Sequence, residues 1–245
     1  METIHELLGY EKIKIVQRSD MFCFSLDSIL LADFVRVKGQ NERVIDLGCG
    51  NAPIPLFLTM KTTGKIFGVE LQEEVYRLAE KSVKINHFEK QITIINNNIK
   101  NIYKIVGANI FDVVISNPPY FKYLPTSNLN KNDYLSVARH EIEITLDDIV
   151  LEAKRLLCAG GSLNMVHRTE RLGEIIAALR KHNFGLRRLR FVYSKISSPA
   201  ALVFLAEARA NRKDDAVVEK PLYVYDDDDK YTDEVLKIFN FNKQI

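Results

Sequence analysis

The sequence predicts an α/β fold: a doubly wound, mostly parallel sheet with helices on both faces. Three observations predict it. From residue 43 onward, short β-branched runs alternate with longer segments of helical periodicity, the pattern of parallel strands joined by right-handed crossovers. The first of these strands runs straight into a glycine turn, "DLGCGNAP" (46–53). The fourth, "FDVVIS" (111–116), is stopped by "NPPY" (117–120), because proline has no N–H to give a sheet ladder.

The elements follow in order. "KIKIVQ" (12–17) alternates as a short strand, and "MFCFS" (21–25) is placed to pair with it across Arg18-Ser19-Asp20. Ser25 or Asp27 can cap a helix to about Val37. "RVIDL" (43–47) reads as a buried strand, and "IPLFLTMK" (54–61) as a helix whose prolines, Pro53 and Pro55, stay in its first turn. "KIFGVEL" (65–71) and "ITIIN" (92–96) are strands flanking a helix over 73–87. A short helix is expected near 102–106, ahead of the strand 111–116. "TLDDIVLEAKRLLCAGG" (145–161) reads as a helix closed by Gly160-Gly161. "SLNMVH" (162–167) is a strand and 170–183 a helix. "LRRLRFVYS" (186–194) and "ALVFLAEARA" (201–210) form an antiparallel pair. The sum is a seven-stranded sheet with one antiparallel strand and a short N-terminal extension. Residues 120–144 show little periodicity, and so long a loop in a compact domain is usually functional.

Composition bounds the partners. Net charge over the chain is only +2, but Arg168–Lys213 carries eleven Lys/Arg against three Glu, and 214–245 carries nine acids against four Lys. A basic segment followed by an acidic one points either to an anionic partner or to a solvated surface. Cys23, Cys49 and Cys158 are far apart and no CxxC occurs, so neither a disulfide framework nor a metal site is expected. A reducing cytoplasm is expected, with no membrane span and no signal peptide at the charged N-terminus.

The glycine turn carries the first chemistry. Gly48 and Gly50 permit positive φ and close approach of a ligand to the backbone around Cys49 and Asn51. A dinucleotide fingerprint wants a third glycine where this chain has Pro53, so a pyrophosphate site is poorly supported. Asp46 would repel a phosphate and suits a cation. Glu70-Leu71 ends the second strand, 20 residues after Gly50, where a carboxylate can accept from both ribose hydroxyls. Adenosine joined to a cationic amino-acid end, without phosphate, is S-adenosyl-L-methionine. The other reading of the turn is an ordinary tight turn.

"NPPY" carries the second. The strand ending there should neighbour the first, where the strand order switches and ligands bind. Asn117 then faces the methyl group. An exocyclic amino group on adenine is a poor nucleophile, because its lone pair is delocalised into the ring. The Asn117 side-chain oxygen and the Pro118 carbonyl can accept from its N–H groups and localise that pair. Pro118 and Pro119 fix the carbonyl's direction, and Tyr120 can stack on the base, a contact worth roughly 1–3 kcal/mol. Positioning does most of the work and no metal is needed. The bland alternative is a strand stop with Tyr120 in the core.

Together these motifs resemble the class I methyltransferases with an Asn-Pro-Pro-Tyr motif. More widely, the chain resembles the bacterial tRNA(Val) adenine-N6 methyltransferase family, through "FSLDSILLADF" (24–34), "DLGCGNAPIPL" (46–56), "GVELQ" (68–72), "NPPYF" (117–121), "ARHE" (138–141), "LNMVHRTERL" (163–172) and "KPLYVYDDDDKYTDE" (220–234). The resemblance implies methylation of the adenosine just 3′ of the anticodon in a tRNA, with no DNA substrate, membrane or obligate protein partner. It implies that an N-terminal hairpin and helix (1–42) cover the cofactor of a catalytic domain (43–213), with the acidic tail (214–245) packed on the same domain. Phe24, Ser25 and Asp27 become cofactor candidates, beside their simpler readings as a core ring and helix caps. Asn98, followed by Ile99, stands where the family usually has an acid for the adenine amino group. Ala52 stands where family members often have a third glycine. Arg139 and His140 become RNA candidates, and so do Arg180, Lys181, Arg187, Arg188, Arg190 and Lys195 as phosphate contacts. Two other functions stay open: a protein-glutamine N5-methyltransferase and a non-catalytic RNA-binding protein on the same scaffold.

Overall fold

The computed structural model describes residues 2–18, 25–118, 144–213 and 215–240. A hairpin of β1 (Glu2–Leu7) and β2 (Tyr10–Arg18) precedes α1 (Leu26–Phe34). Then come β3 (Val44–Leu47), α2 (Pro53–Leu58), β4 (Ile66–Glu70), α3 (Glu73–Ile85), β5 (Ile92–Asn96), α4 (Tyr103–Val106) and β6 (Phe111–Ser116). After these follow α5 (Leu146–Leu156), β7 (Leu157–Arg168), α6 (Leu172–Lys181), β8 (Phe184–Tyr193) and β9 (Val203–Ala210). Two-residue strands β10 (Val217–Val218) and β11 (Leu222–Tyr223) and the helix α7 (Asp233–Ile238) close the chain.

The main sheet runs β10-β8-β9-β7-β6-β3-β4-β5, with β11 also on β8. Only β9 runs antiparallel to its neighbours, β7 and β8. The seven expected strands are present, and β10 and β11 extend the edge beyond them, both parallel to β8. β3 lies between β4 and β6, so the winding direction reverses there and a crevice opens at the carboxyl ends of the strands.

One apolar cluster joins β2, α1, α2, α3 and α7 to one face of the sheet; a second joins α4, α5 and α6 to the other. Along β3, Val44 enters the first cluster and Ile45 and Leu47 the second, the strict alternation of a strand buried on both sides. α1 is buried from Ser28 to Ala32 and again at Phe34. Its carboxyl end is fixed by Lys61, whose Nζ donates to the carbonyls of Ala32, Asp33 and Val35 at 3.1, 2.6 and 2.7 Å, supplying donors where a helix end lacks them.

Two elements differ from expectation. β2 pairs with β1, and of the residues 21–25 expected beside it, 21–24 lie outside the described residues. The turn at Leu8-Gly9 needs glycine: a Cβ on Gly9 would sit 2.5 Å from the Phe239 carbonyl oxygen. α5 stops at Leu156, and Gly160-Gly161 belong to β7 rather than to a helix cap. Leu157 already pairs with Phe111 of β6, and the register then shifts. Gly160, at φ +83°, absorbs that shift, and a Cβ on Gly161 would meet the Asp112 carbonyl oxygen at 2.9 Å. Sheet pairing here outweighs the helical periodicity that continues through Cys158.

Candidate active site

The glycine turn folds back over β4. The N–H groups of Gly48 and Cys49 both donate to the Val69 carbonyl, at 2.9 and 3.0 Å. Gly48 has φ +82° and Gly50 φ +56°, and a Cβ built on either meets nothing within 4 Å. The backbone therefore faces open space, a cradle that side chains would fill. Cys49 contributes only its backbone, since its thiol is buried and packs on Gly68, where a Cβ would come within 2.7 Å of Sγ. Burial pushes that thiol well above its ordinary pKa. Ala52 begins α2 with φ 71°, the left-handed conformation that glycine adopts without penalty.

Two carboxylates lie under the turn. Glu70, at the end of β4, accepts from the Gly50 N–H at 3.0 Å and the Gln72 N–H at 2.9 Å. These two bonds fix the carboxylate at the strand end, the position from which an acid can accept from ribose hydroxyls. Asp46 is 1% exposed, and neither of its oxygens has a hydrogen-bond partner. Burial, and then the neighbouring Glu70, push its carboxyl up to about 8. A buried acceptor left unpaired costs on the order of 1–3 kcal/mol. Such a group is stabilised by a cation, and the open cradle beside it admits one.

Asn117 lies two residues beyond Ile115, the residue of β6 paired with Asp46. Ser116 Oγ donates to the Leu47 carbonyl at 2.9 Å and ties the two strand ends together. Asn117 is half-buried, and its Nδ2 donates to Ser28 Oγ of α1 at 3.0 Å. That bond holds the amide nitrogen against α1. Ser28 carries no motif that would single it out; its signal is a hydroxyl on an otherwise apolar helix. Pro118 is buried beside Asn117, while Pro119, Tyr120, Arg139, His140 and Phe24 lie outside the described residues.

The remaining cofactor candidates divide. Asn51 spends its side chain on structure, with Nδ2 donating to the Val16 carbonyl of β2 at 2.9 Å. Asn98 Oδ1 accepts from the Lys100 N–H at 2.8 Å in a local turn, so one of its two lone pairs is taken. The Leu71 carbonyl accepts from Asn96 Nδ2 at 3.0 Å, and that amide also donates to the Glu70 carbonyl at 2.9 Å. Asn96, not singled out by the sequence, thus aligns the ends of β4 and β5. Ile99 is buried in the second cluster. Ser25 occupies the N-cap position of α1 but makes no side-chain cap bond, and Asp27 lies in the first turn.

Within the basic group, buried Arg188 corrects the expectation of a phosphate contact, and Arg187, Arg190 and Lys195 are ion-paired within the chain. Arg188 is buried: it donates to Glu207 at 2.6 Å, to Glu219 at 3.0 Å and to the Phe34 carbonyl at 2.7 Å, and stacks 3.9 Å from the Phe34 ring. Arg190 donates to the Lys220 carbonyl and to Glu234, at 3.0 and 2.7 Å. Arg187 pairs with Asp215, and Lys195 with Asp229 at 2.7 Å. The anionic partner of the basic strand is the chain's own acidic tail. On α6, Lys181 pairs with Asp147 at 2.9 Å, and Arg180 is exposed in the last turn.

The model of the methyltransferase small domain matches residues 12–183. The chain belongs to the methyltransferase small domain family. Among similar sequences, the tRNA1(Val) (adenine(37)-N6)-methyltransferase of Tolumonas auensis is 28% identical over 86% of each chain. The protein of the same name from Dyadobacter fermentans is 24% identical over 81% of this chain and 82% of its own. Among solved structures, a predicted O-methyltransferase of Agrobacterium tumefaciens superposes with TM-score 0.71 at 20% identity, covering 88% of this chain and 96% of that one. The geranyl diphosphate C-methyltransferase of Streptomyces coelicolor, solved with S-adenosyl-L-homocysteine, gives 0.53 at 10% identity over 74% of this chain and 77% of that one. This methyltransferase therefore shares its fold with enzymes of different acceptors, and the acceptor must be argued from Asn117. Among the described residues no cluster fit to hold a metal occurs, and no helix is long and apolar enough to cross a membrane.

Proposed function

We propose that this methyltransferase transfers the methyl group of S-adenosyl-L-methionine to N6 of an adenosine in tRNA, the nucleotide at position 37 of a valine tRNA. The observation that carries the reading is Asn117. Its amide is held by Ser28 at the carboxyl end of β6, next to the strand that bears Asp46 and the cradle. Relatives named for this reaction, matched over more than four-fifths of their length, support the choice of acceptor.

The residues divide the work. Asp46 neutralises the cationic end of the cofactor, Glu70 takes the ribose hydroxyls, and the open backbone at Gly48 and Gly50 lets the ligand lie close. Asn117 Oδ1 and the Pro118 carbonyl accept from the two N6–H groups, so the nitrogen lone pair is drawn out of conjugation with the ring and points at the methyl carbon. The cofactor supplies the electrophilic methyl. As the new N–C bond forms, the S–C bond breaks, and the amino group then loses one proton to water. Tyr120 stacks on the base, and the segment 1–42 closes over the cofactor end. Arg180, Arg139 and His140 are assigned to phosphate contact, and the buried Arg188 is not.

Incubation with labelled S-adenosylmethionine, bulk tRNA and release factor tests the reading. Label recovered as N6-methyladenosine is the expected result. Label in release factor, or retained tRNA with no transfer, would replace it with one of the other two functions.

A further inference from the structure

Five buried side-chain polar atoms among the described residues have no hydrogen-bond partner, and three of them belong to Asp46 and Gln17. The Asp46 pair of acceptors is explained by a cation. The Gln17 Nε2 group is a donor, and it stands on a side chain only 8% exposed. Leaving it unpaired destabilises the protein, so its retention calls for an acceptor that arrives from outside.

Position identifies that acceptor. Gln17 shares a strand face with Ile13 and Ile15, which enter the cluster that also contains Val44 of β3. By the same alternation Asp46 lies on the Val44 face of the sheet. Gln17 is also held at the right end of that face. Its predecessor, Val16, accepts from Asn51 of the glycine turn at 2.9 Å, and its successor, Arg18, donates to Glu74 in the first turn of α3 at 3.0 Å. Residue 17 is thus strung across the carboxyl ends of β3 and β4, where Asp46 and Glu70 gather. An orphan donor and an orphan acid on one face and at one end complement a group that carries an anion and a cation on the same carbon.

We propose that Gln17 is a cofactor-binding residue, with Nε2 donating to the α-carboxylate of the methionine end while Asp46 faces its ammonium. The assignment rests on the cofactor reading and not on the identity of the methyl acceptor. Gln17→Met keeps the volume and removes the donor. Calorimetric titration compares S-adenosylhomocysteine with methylthioadenosine, which lacks the amino-acid end. The variant is expected to bind S-adenosylhomocysteine about 10- to 100-fold more weakly, the loss of one hydrogen bond to a charged group. Its affinity for methylthioadenosine should stay within about twofold. Because an unpaired buried group is removed, the ligand-free variant should melt at or above the wild-type temperature. Gln17→Glu, which sets like charges together, should weaken S-adenosylhomocysteine further while sparing methylthioadenosine. Equal losses on both ligands, no loss on either, or a lower melting temperature with unchanged affinity would overturn the role of Gln17. Wild-type protein that bound neither ligand would overturn the cofactor reading itself. Failure to methylate tRNA would leave Gln17 where it is placed here.

Discussion

The two polar regions of this methyltransferase are built on opposite rules. At the carboxyl ends of β3 and β4, Asp46 and Gln17 are buried with polar atoms unpaired. Along β8, Arg188 is as deeply buried, yet three of its nitrogens have partners. A buried group completed within the chain contributes to the fold; one left incomplete calls for its own explanation, which for Asp46 and Gln17 is their place beside the glycine turn. The contrast separates site from scaffold where residue type alone misleads, since an arginine-rich strand looks like a nucleic-acid surface and a lone glutamine looks like nothing.

The contrast can be broken at either region. Asn117→Ala should reduce turnover by about 10²–10³-fold, the range for one preorganised polar contact to the reacting group. Cofactor affinity, measured by calorimetry, should change little, and an equal loss in both would remove Asn117 from the chemistry. Arg188→Ala leaves buried Glu207 with Arg209 alone and should cost about 2–3 kcal/mol in urea unfolding, less than the loss of a sole partner. The exposed Arg187–Asp215 pair is a control, because Arg187→Ala should cost under about 1 kcal/mol. Unchanged stability of Arg188→Ala with weaker tRNA binding would return the strand to an RNA role.

The Asp46 carboxyl sharpens the comparison through pH. Its pKa is raised in the fold to about 8, mainly by burial. The neutral form is favoured, so its contribution to ligand-free stability is full below about 4 and is lost as pH climbs toward 8. A bound cation favours the carboxylate, so cofactor affinity should rise by up to about tenfold per pH unit between roughly 6 and 8. Proton release on binding, read from buffers of different ionisation enthalpy, checks this, and Asp46→Asn should abolish it. Ser28→Ala should lower kcat about tenfold, the worth of one neutral hydrogen bond, with cofactor KM unchanged. A shift in KM alone would make Ser28 a packing residue. Ala52→Gly should be the smallest change, a gain of about 1 kcal/mol from relief of the left-handed alanine, as measured by melting.

Much of the sheet was legible, because strands such as Val44–Leu47 and Phe111–Ser116 are buried on both faces and read as continuous apolar runs. β1 was not, because five of its six residues are exposed and leave no periodicity. β10 and β11 are two residues each and exist through pairing with β8, a long-range term that no local pattern carries. The glycine turn and Asp46 were readable from spacing. Ser28 and Gln17 were not, since a motif records residue type and their signal lies in what surrounds them. For the arginines the local charge was legible and the acids that pair with them were not: Glu207 stands 19 positions from Arg188, and Asp215, Glu219 and Glu234 stand 28 to 44 positions from their partners.

Arg188 joins Glu219 of the tail to the Phe34 carbonyl, the last residue of the helix that begins near Ser28. The acidic tail is therefore a splint. It braces from behind the rod whose front end steadies the reacting amide. Replacing Glu219 alone would slacken that rod, so the damage would surface as sluggish chemistry at the far end of the helix.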